Sequence, residues 1–132
     1  MRFLVVSIFA SVAISCAADV DDRPARWSYV SRAVIQPNCA TASCHSSLSS
    51  TAELRLDTVD LGYASLMDEG LVVPGAPDQS GLIAVLRGGE GEGTAREGRA
   101  GVEDEGMPPD APLPDADIEL IARWIADGAR ND

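Results

Sequence analysis

Cys39-Ala-Thr-Ala-Ser-Cys44-His45 is the stretch on which the reading of this chain turns. His45 is the one histidine in 132 residues, and it follows directly on the second of two cysteines. Two thiols followed at once by an imidazole form the pattern by which c-type haem is attached, the cysteines bonding the macrocycle and the histidine taking the iron. Two residues usually separate such cysteines; here four do.

The cysteines alone leave other readings open. In an exported protein a Cys39–Cys44 disulfide is the plain alternative, because the compartment is oxidising. A structural zinc ion would need a second Cys/His pair to complete its tetrahedron, and the chain has none. A disulfide gives no role to a lone histidine set immediately after Cys44, so the histidine favours haem.

Export is indicated by the first residues. Arg2, an apolar run from Phe3 to Ile14 and small residues before Cys16 read as a signal peptide over residues 1–15. The run is too short to remain as a bilayer-spanning helix. Ala13-Ile14-Ser15-Cys16 resembles a bacterial lipobox, which implies lipidation of Cys16 and a place on the periplasmic side of a membrane, contacted only through that lipid. Residues 16–25 then form an acidic tether and 26–132 one domain. Removing residues 1–15 takes away Arg2 and no acid, leaving nine arginines against 21 carboxylates and a net charge of −12; lysine is absent. Such a chain is a poor ligand for nucleic acid or an anionic surface and suits a basic protein partner. With two tryptophans and two tyrosines as its remaining aromatics, so small a domain is marginal, and a large apolar cofactor would enlarge its core.

The pattern of apolar residues is helical. Trp27, Val30, Ala33 and Val34 make a stripe over residues 26–36, which Pro37 is expected to end just before Cys39. Residues 46–60 are loop, with Leu54 and Leu56 turned inward. A short helix over 61–67 ends by Gly70, and another, over 81–87, follows Asp78 or Ser80 as cap with Leu82, Val85 and Leu86 on one side. The stretch 88–106, rich in glycine, glutamate and arginine, reads as surface loop; its Glu103-Asp104-Glu105 lacks a calcium-loop spacing. Residues 114–128 form the strongest helix, with Ile118, Ile121 and Ile125 on one face, Leu120 and Trp124 beside it, acids at its start and Gly128 at its end. No strand pattern is present. The expected fold is all-α, about four short helices with long loops around one haem.

A second axial ligand must come from elsewhere than histidine or lysine, and a methionine thioether is the remaining usual donor. Past the leader only Met67 and Met107 are left. Met67 lies on a helical stripe with Tyr63 and Leu66, where packing accounts for it. Met107 lies between a Gly-rich loop and Pro108-Pro109 and is the favoured donor.

Taken in order, Ile35-Gln-Pro-Asn-Cys39, Ser43-Cys44-His45, Val72-Val73-Pro74-Gly75, Ser80-Gly81-Leu82, Met107-Pro108-Pro109 and Trp124-Ile125-Ala126-Asp127-Gly128-Ala129 resemble the small class I cytochromes c of exported bacterial proteins, in the form with four residues between the cysteines. The resemblance spans almost all of the chain after the leader. It implies a cytochrome c-like fold and one covalent haem c, with Cys39 and Cys44 as thioethers, His45 as proximal and Met107 as distal ligand. It implies first and last helices crossing near the haem, with Trp124 and Ile121 against Val30 and Val34, and one-electron transfer to redox partners without enzymatic activity. The better-known members carry a proline soon after the histidine, whose carbonyl orients the imidazole; Ser46-Ser47-Leu48-Ser49-Ser50 stands there instead, so the acceptor for the second ring nitrogen stays open. Two other functions fit parts of the pattern: a haem-free periplasmic lipoprotein interaction domain held by a Cys39–Cys44 disulfide, and a haem subunit of a larger oxidoreductase.

Overall fold

A computed structural model describes residues 21–88 and 106–132. The leader, Cys16, residues 16–20 of the acidic stretch and residues 89–105, with their acid cluster, lie outside the described residues. Those that are described form an all-α domain of four helices, with no strand among them.

The first helix, α1, covers residues 27–39. It is α-helical over Trp27–Val30, makes a π-helical turn over Ser31–Ile35 and returns to α over Gln36–Cys39. Pro37 therefore does not end it, and Gln36 keeps helical angles (φ −58°, ψ −50°). The π turn explains why. In a regular helix the proline ring would press on the carbonyl four residues back. Here the turn just before Pro37 is wider, with the Gln36 N–H reaching back five residues to the Ser31 carbonyl. Side chains add bonds along this segment: Asn38 Nδ2 donates to the Val34 carbonyl at 2.7 Å, and Gln36 Nε2 donates to the buried Ser31 hydroxyl at 3.0 Å. One more helical turn then carries the chain to Cys39.

Helix α2, Val59–Asp68, starts at Thr58, whose hydroxyl accepts from the Leu61 N–H at 3.2 Å, and is followed by Gly70 in the left-handed region (φ 66°). Helix α3, Gly81–Leu86, starts after Ser80, but that serine does not cap it. Its hydroxyl accepts from the Val73 N–H at 2.9 Å and faces the Ala76 carbonyl at 3.0 Å, so it fastens the 73–76 turn instead. Ile83, not Val85, joins Leu82 and Leu86 in the core. Helix α4, Asp115–Ala126, buries Ile118, Leu120, Ile121, Ala122, Trp124 and Ile125, the apolar face its sequence lays out.

Helices α1 and α4 pack on each other. At the centre, the Trp27 and Trp124 rings lie 4.9 Å apart, with Tyr63 of α2 edge-on to both at 6.0 and 6.4 Å. Their polar tips are all satisfied: Trp27 Nε1 by the Val59 carbonyl, Trp124 Nε1 by that of Arg130, and the Tyr63 hydroxyl by that of Ala129. Val30, Val34, Leu56 and Ile121 belong to the same core, with Leu54 packed at its edge. The chain after α4 returns to the start of α1, where Asp132 accepts from the Trp27 and Ser28 N–H groups at 3.0 and 2.8 Å, filling unsatisfied donors of a helix start that has no local cap.

The described part of the acidic stretch is fastened to α4. Arg23 bridges Asp21 and Asp117, and Arg123 bonds the Asp21 carboxylate and carbonyl. The Arg23 side-chain hydrogen bonds hold the Asp21 carboxyl down at about 2.

Candidate cofactor site

Cys39 is the last residue of α1, so the helix fixes where the site begins. Its side chain is half-buried and packs against the core. Beyond it the chain folds back on itself. The Cys44 N–H reaches the Thr41 carbonyl at 3.0 Å, and the His45 N–H reaches the Cys39 carbonyl at 3.1 Å. The four intervening residues are thus accommodated as a turn that returns Cys44 and His45 to the end of the helix. His45 is held from its other side as well, its carbonyl accepting from the Leu56 N–H at 2.6 Å.

The imidazole has a defined partner. His45 Nδ1 lies 2.8 Å from the Thr51 carbonyl oxygen. A carbonyl can only accept, so Nδ1 carries the proton and, in the neutral ring, Nε2 keeps its lone pair. That is the state an iron-ligating histidine requires, with its second nitrogen tied to an oriented acceptor. The acceptor left open by the missing proline is therefore Thr51. It is a main-chain group six residues on, and no side-chain type marks it in the sequence.

Cys39 and Cys44 are both free thiols, each half-buried. Burial pushes the Cys39 thiol from its ordinary 9.0 up to about 11, with the nearby Cys44 adding to the shift. A raised thiol pKa stabilises the folded chain below the unfolded value, and that contribution is lost as pH rises through 9 toward 11. Since the thiolate is the nucleophile, and its scarcity outweighs the greater reactivity of a more basic thiolate, iodoacetamide at pH 8 should label Cys39 of the haem-free chain about tenfold more slowly than in the urea-unfolded chain. Equal rates before and after unfolding, read by peptide mass mapping, would contradict the burial.

Met107 is placed by another part of the chain. Its N–H donates to the Val85 carbonyl at 2.9 Å, and its side chain is half-buried; the Met107–Pro108 peptide is cis. Met67, by contrast, packs against the hydrophobic core, so its thioether is accounted for by packing. The Met107 position depends on a close backbone approach that the sequence does not announce. A Cβ on Gly106 would come within 2.8 Å of Gly88 Cα, 2.9 Å of Gly88 N and 3.1 Å of the Val85 oxygen, all main-chain atoms that a rotamer change cannot clear. Gly106→Ala should therefore cost about 1–3 kcal/mol, in the range of other overpacking substitutions. It should also raise the exchange rate of the Met107 amide, and an unchanged rate would show that the approach is not needed.

The structure thus gathers Cys39, Cys44 and His45 on one turn, while the hydrogen bond that places Met107 runs to Val85 near the end of α3. Among the described residues no three His, Cys, Asp or Glu side chains come together as a metal-binding group. That speaks against a cluster of protein ligands around one ion and leaves haem unaffected, since haem asks the cysteines for carbon bonds and takes only axial donors at iron. On the cysteine turn the residues fit attachment of the group, with two free thiols and an imidazole whose Nδ1 proton is engaged, while Met107 is a half-buried thioether held beside Val85. No protein-family model, curated protein or solved structure matches this chain.

Proposed function

We propose that this chain is a monohaem c-type cytochrome, a one-electron carrier with a cytochrome c-like arrangement of its four helices. The observation that carries the reading is the His45 ring, its Nδ1 proton given to the Thr51 carbonyl and its Nε2 left as donor, on the turn that also presents two free thiols. Cys39 and Cys44 would hold the haem covalently, His45 would be its proximal ligand and Met107 its distal one. The haem supplies reversible one-electron exchange.

The chain's own residues hold, orient and shield. The Thr51 carbonyl fixes the plane and basicity of the imidazole, and the packed α1–α4 core gives the cysteine turn a rigid base. With His45 and Met107 both as ligands, no position at the iron would be left for a substrate, which favours electron transfer over catalysis. The acidic surface suits a basic redox protein as donor or acceptor. The signal-like leader and the lipobox-like run before Cys16 support a mature chain held by a lipid on the periplasmic side of a membrane.

Mass spectrometry of the mature chain, produced with c-type haem maturation, tests the attachment. The expected product is heavier by one haem after denaturation. In Cys39→Ala or Cys44→Ala the bound haem should be lost or held by a single thioether. Chain mass without haem, beside a correctly matured control cytochrome, would contradict the assignment.

A further inference from the structure

The run Ser46-Ser47-Leu48-Ser49-Ser50 leads into a turn that is costly to hold. Ser50, Ala52 and Glu53 have φ of 47°, 58° and 64°, left-handed values that cost a residue with a side chain about 1–2 kcal/mol each. Apolar burial does not repay this, since the one large apolar side chain of the run, Leu48, is 88% exposed. Hydrogen bonds hold the turn. The Ser46 carbonyl accepts from the Ser49 and Ser50 N–H groups at 3.2 and 2.7 Å, and Ser47 donates to Asp57 at 2.9 Å. At the middle lies Thr51, whose N–H donates to the Cys44 carbonyl at 3.2 Å and whose carbonyl accepts from both His45 Nδ1 and the Leu54 N–H.

The Ser49 hydroxyl is the side-chain element of this brace. It lies 3.3 Å from the Ser43 carbonyl and 3.0 Å from the Thr51 hydroxyl. A hydroxyl has one proton and the carbonyl only accepts, so both contacts are satisfied in one arrangement: Thr51 donates to Ser49, and Ser49 donates to Ser43. This chain ties the residue that orients His45 to the residue just before Cys44. We propose that Ser49 is a positioning residue for His45, acting through Thr51 in the place where better-known cytochromes c use a proline. Its effect on a haem rests on the function proposed above; the brace itself belongs to the protein chain.

The test is exchange of the His45 Nδ1 proton, followed by NMR in the reduced haem-loaded mature chain and in the haem-free chain, with the Trp27 and Trp124 indole protons as internal controls. In Ser49→Ala the His45 proton should exchange about five- to tenfold faster, the loss of one hydrogen bond's net contribution of about 1 kcal/mol. The indole protons should keep their rates, and Ser49→Thr should restore the slow rate. In the haem-loaded protein the Ser49→Ala midpoint potential should move positive, because a less firmly held Nδ1 proton leaves Nε2 a weaker donor to oxidised iron. An unchanged His45 rate, a rise shared by the indole protons, or an unmoved potential would overturn the proposal. A chain that takes up no haem would instead overturn the function proposed above, and the brace would be judged on the exchange rates of the haem-free protein.

Discussion

Met107→Ala in the haem-loaded chain is expected to abolish the weak far-red absorption that marks a sulfur-to-iron bond in an oxidised cytochrome, while Met67→Ala leaves that band in place. The two thioethers have different surroundings. Met67 is packed against the core from α2, and moving its sulfur to an iron would open a space behind it. Met107 is half-buried outside that core and fixed through its N–H to Val85. Loss of the thioether should also lower the midpoint potential, since a His/Met pair raises it relative to harder donors. Retention of the band in Met107→Ala together with its loss in Met67→Ala would reassign the distal ligand.

Trp27→Ala is expected to cost about 3–5 kcal/mol, the usual range for deleting a buried large aromatic. The ring is fully buried, stacks near Trp124 and Tyr63, and gives its indole proton to Val59. It also meets Gly62 so closely that an added Cβ there would sit 3.1 Å from its Cζ2, so the residues around it are fitted to this ring. Small domains have about 5–15 kcal/mol in total, so the haem-free variant should be largely unfolded or close to it. Urea denaturation followed by circular dichroism measures this, and a midpoint within error of the parent would remove the aromatic cluster from its central place. A haem that binds only the folded chain would mask part of the loss, so the haem-free comparison is the informative one.

Helix α4 is legible in the sequence because its signals agree: isoleucines at helical spacing, acids at the positive end of the dipole and Gly128 behind it. The second and third helices are legible for the same kind of reason, although the role of Ser80 is not, since a serine before a helix reads as a cap whether its hydroxyl turns to the helix or to the preceding turn. Pro37 misleads. Local sterics set a helix end before it, and the π turn that removes the clash is built from contacts of Ser31, Gln36 and Asn38 that no propensity contains. At the site, Cys39, Cys44 and His45 stand out by their order alone. Thr51 and Gly106 do not. One acts through a main-chain oxygen and the other by having no side chain, and both roles depend on segments that meet only once the chain has folded.

The central claim is that Cys39, Cys44 and His45 hold a haem, and the visible spectrum of the mature chain tests it most directly. The chain is produced with c-type haem maturation and recorded oxidised, then reduced. Sharp bands on reduction, with the far-red sulfur band present when oxidised, are the predicted result and define a covalently bound haem with His45 and a thioether as its ligands. A colourless protein, from cells that mature a control cytochrome, would contradict the account and leave a haem-free lipoprotein domain with a Cys39–Cys44 disulfide as the reading to pursue.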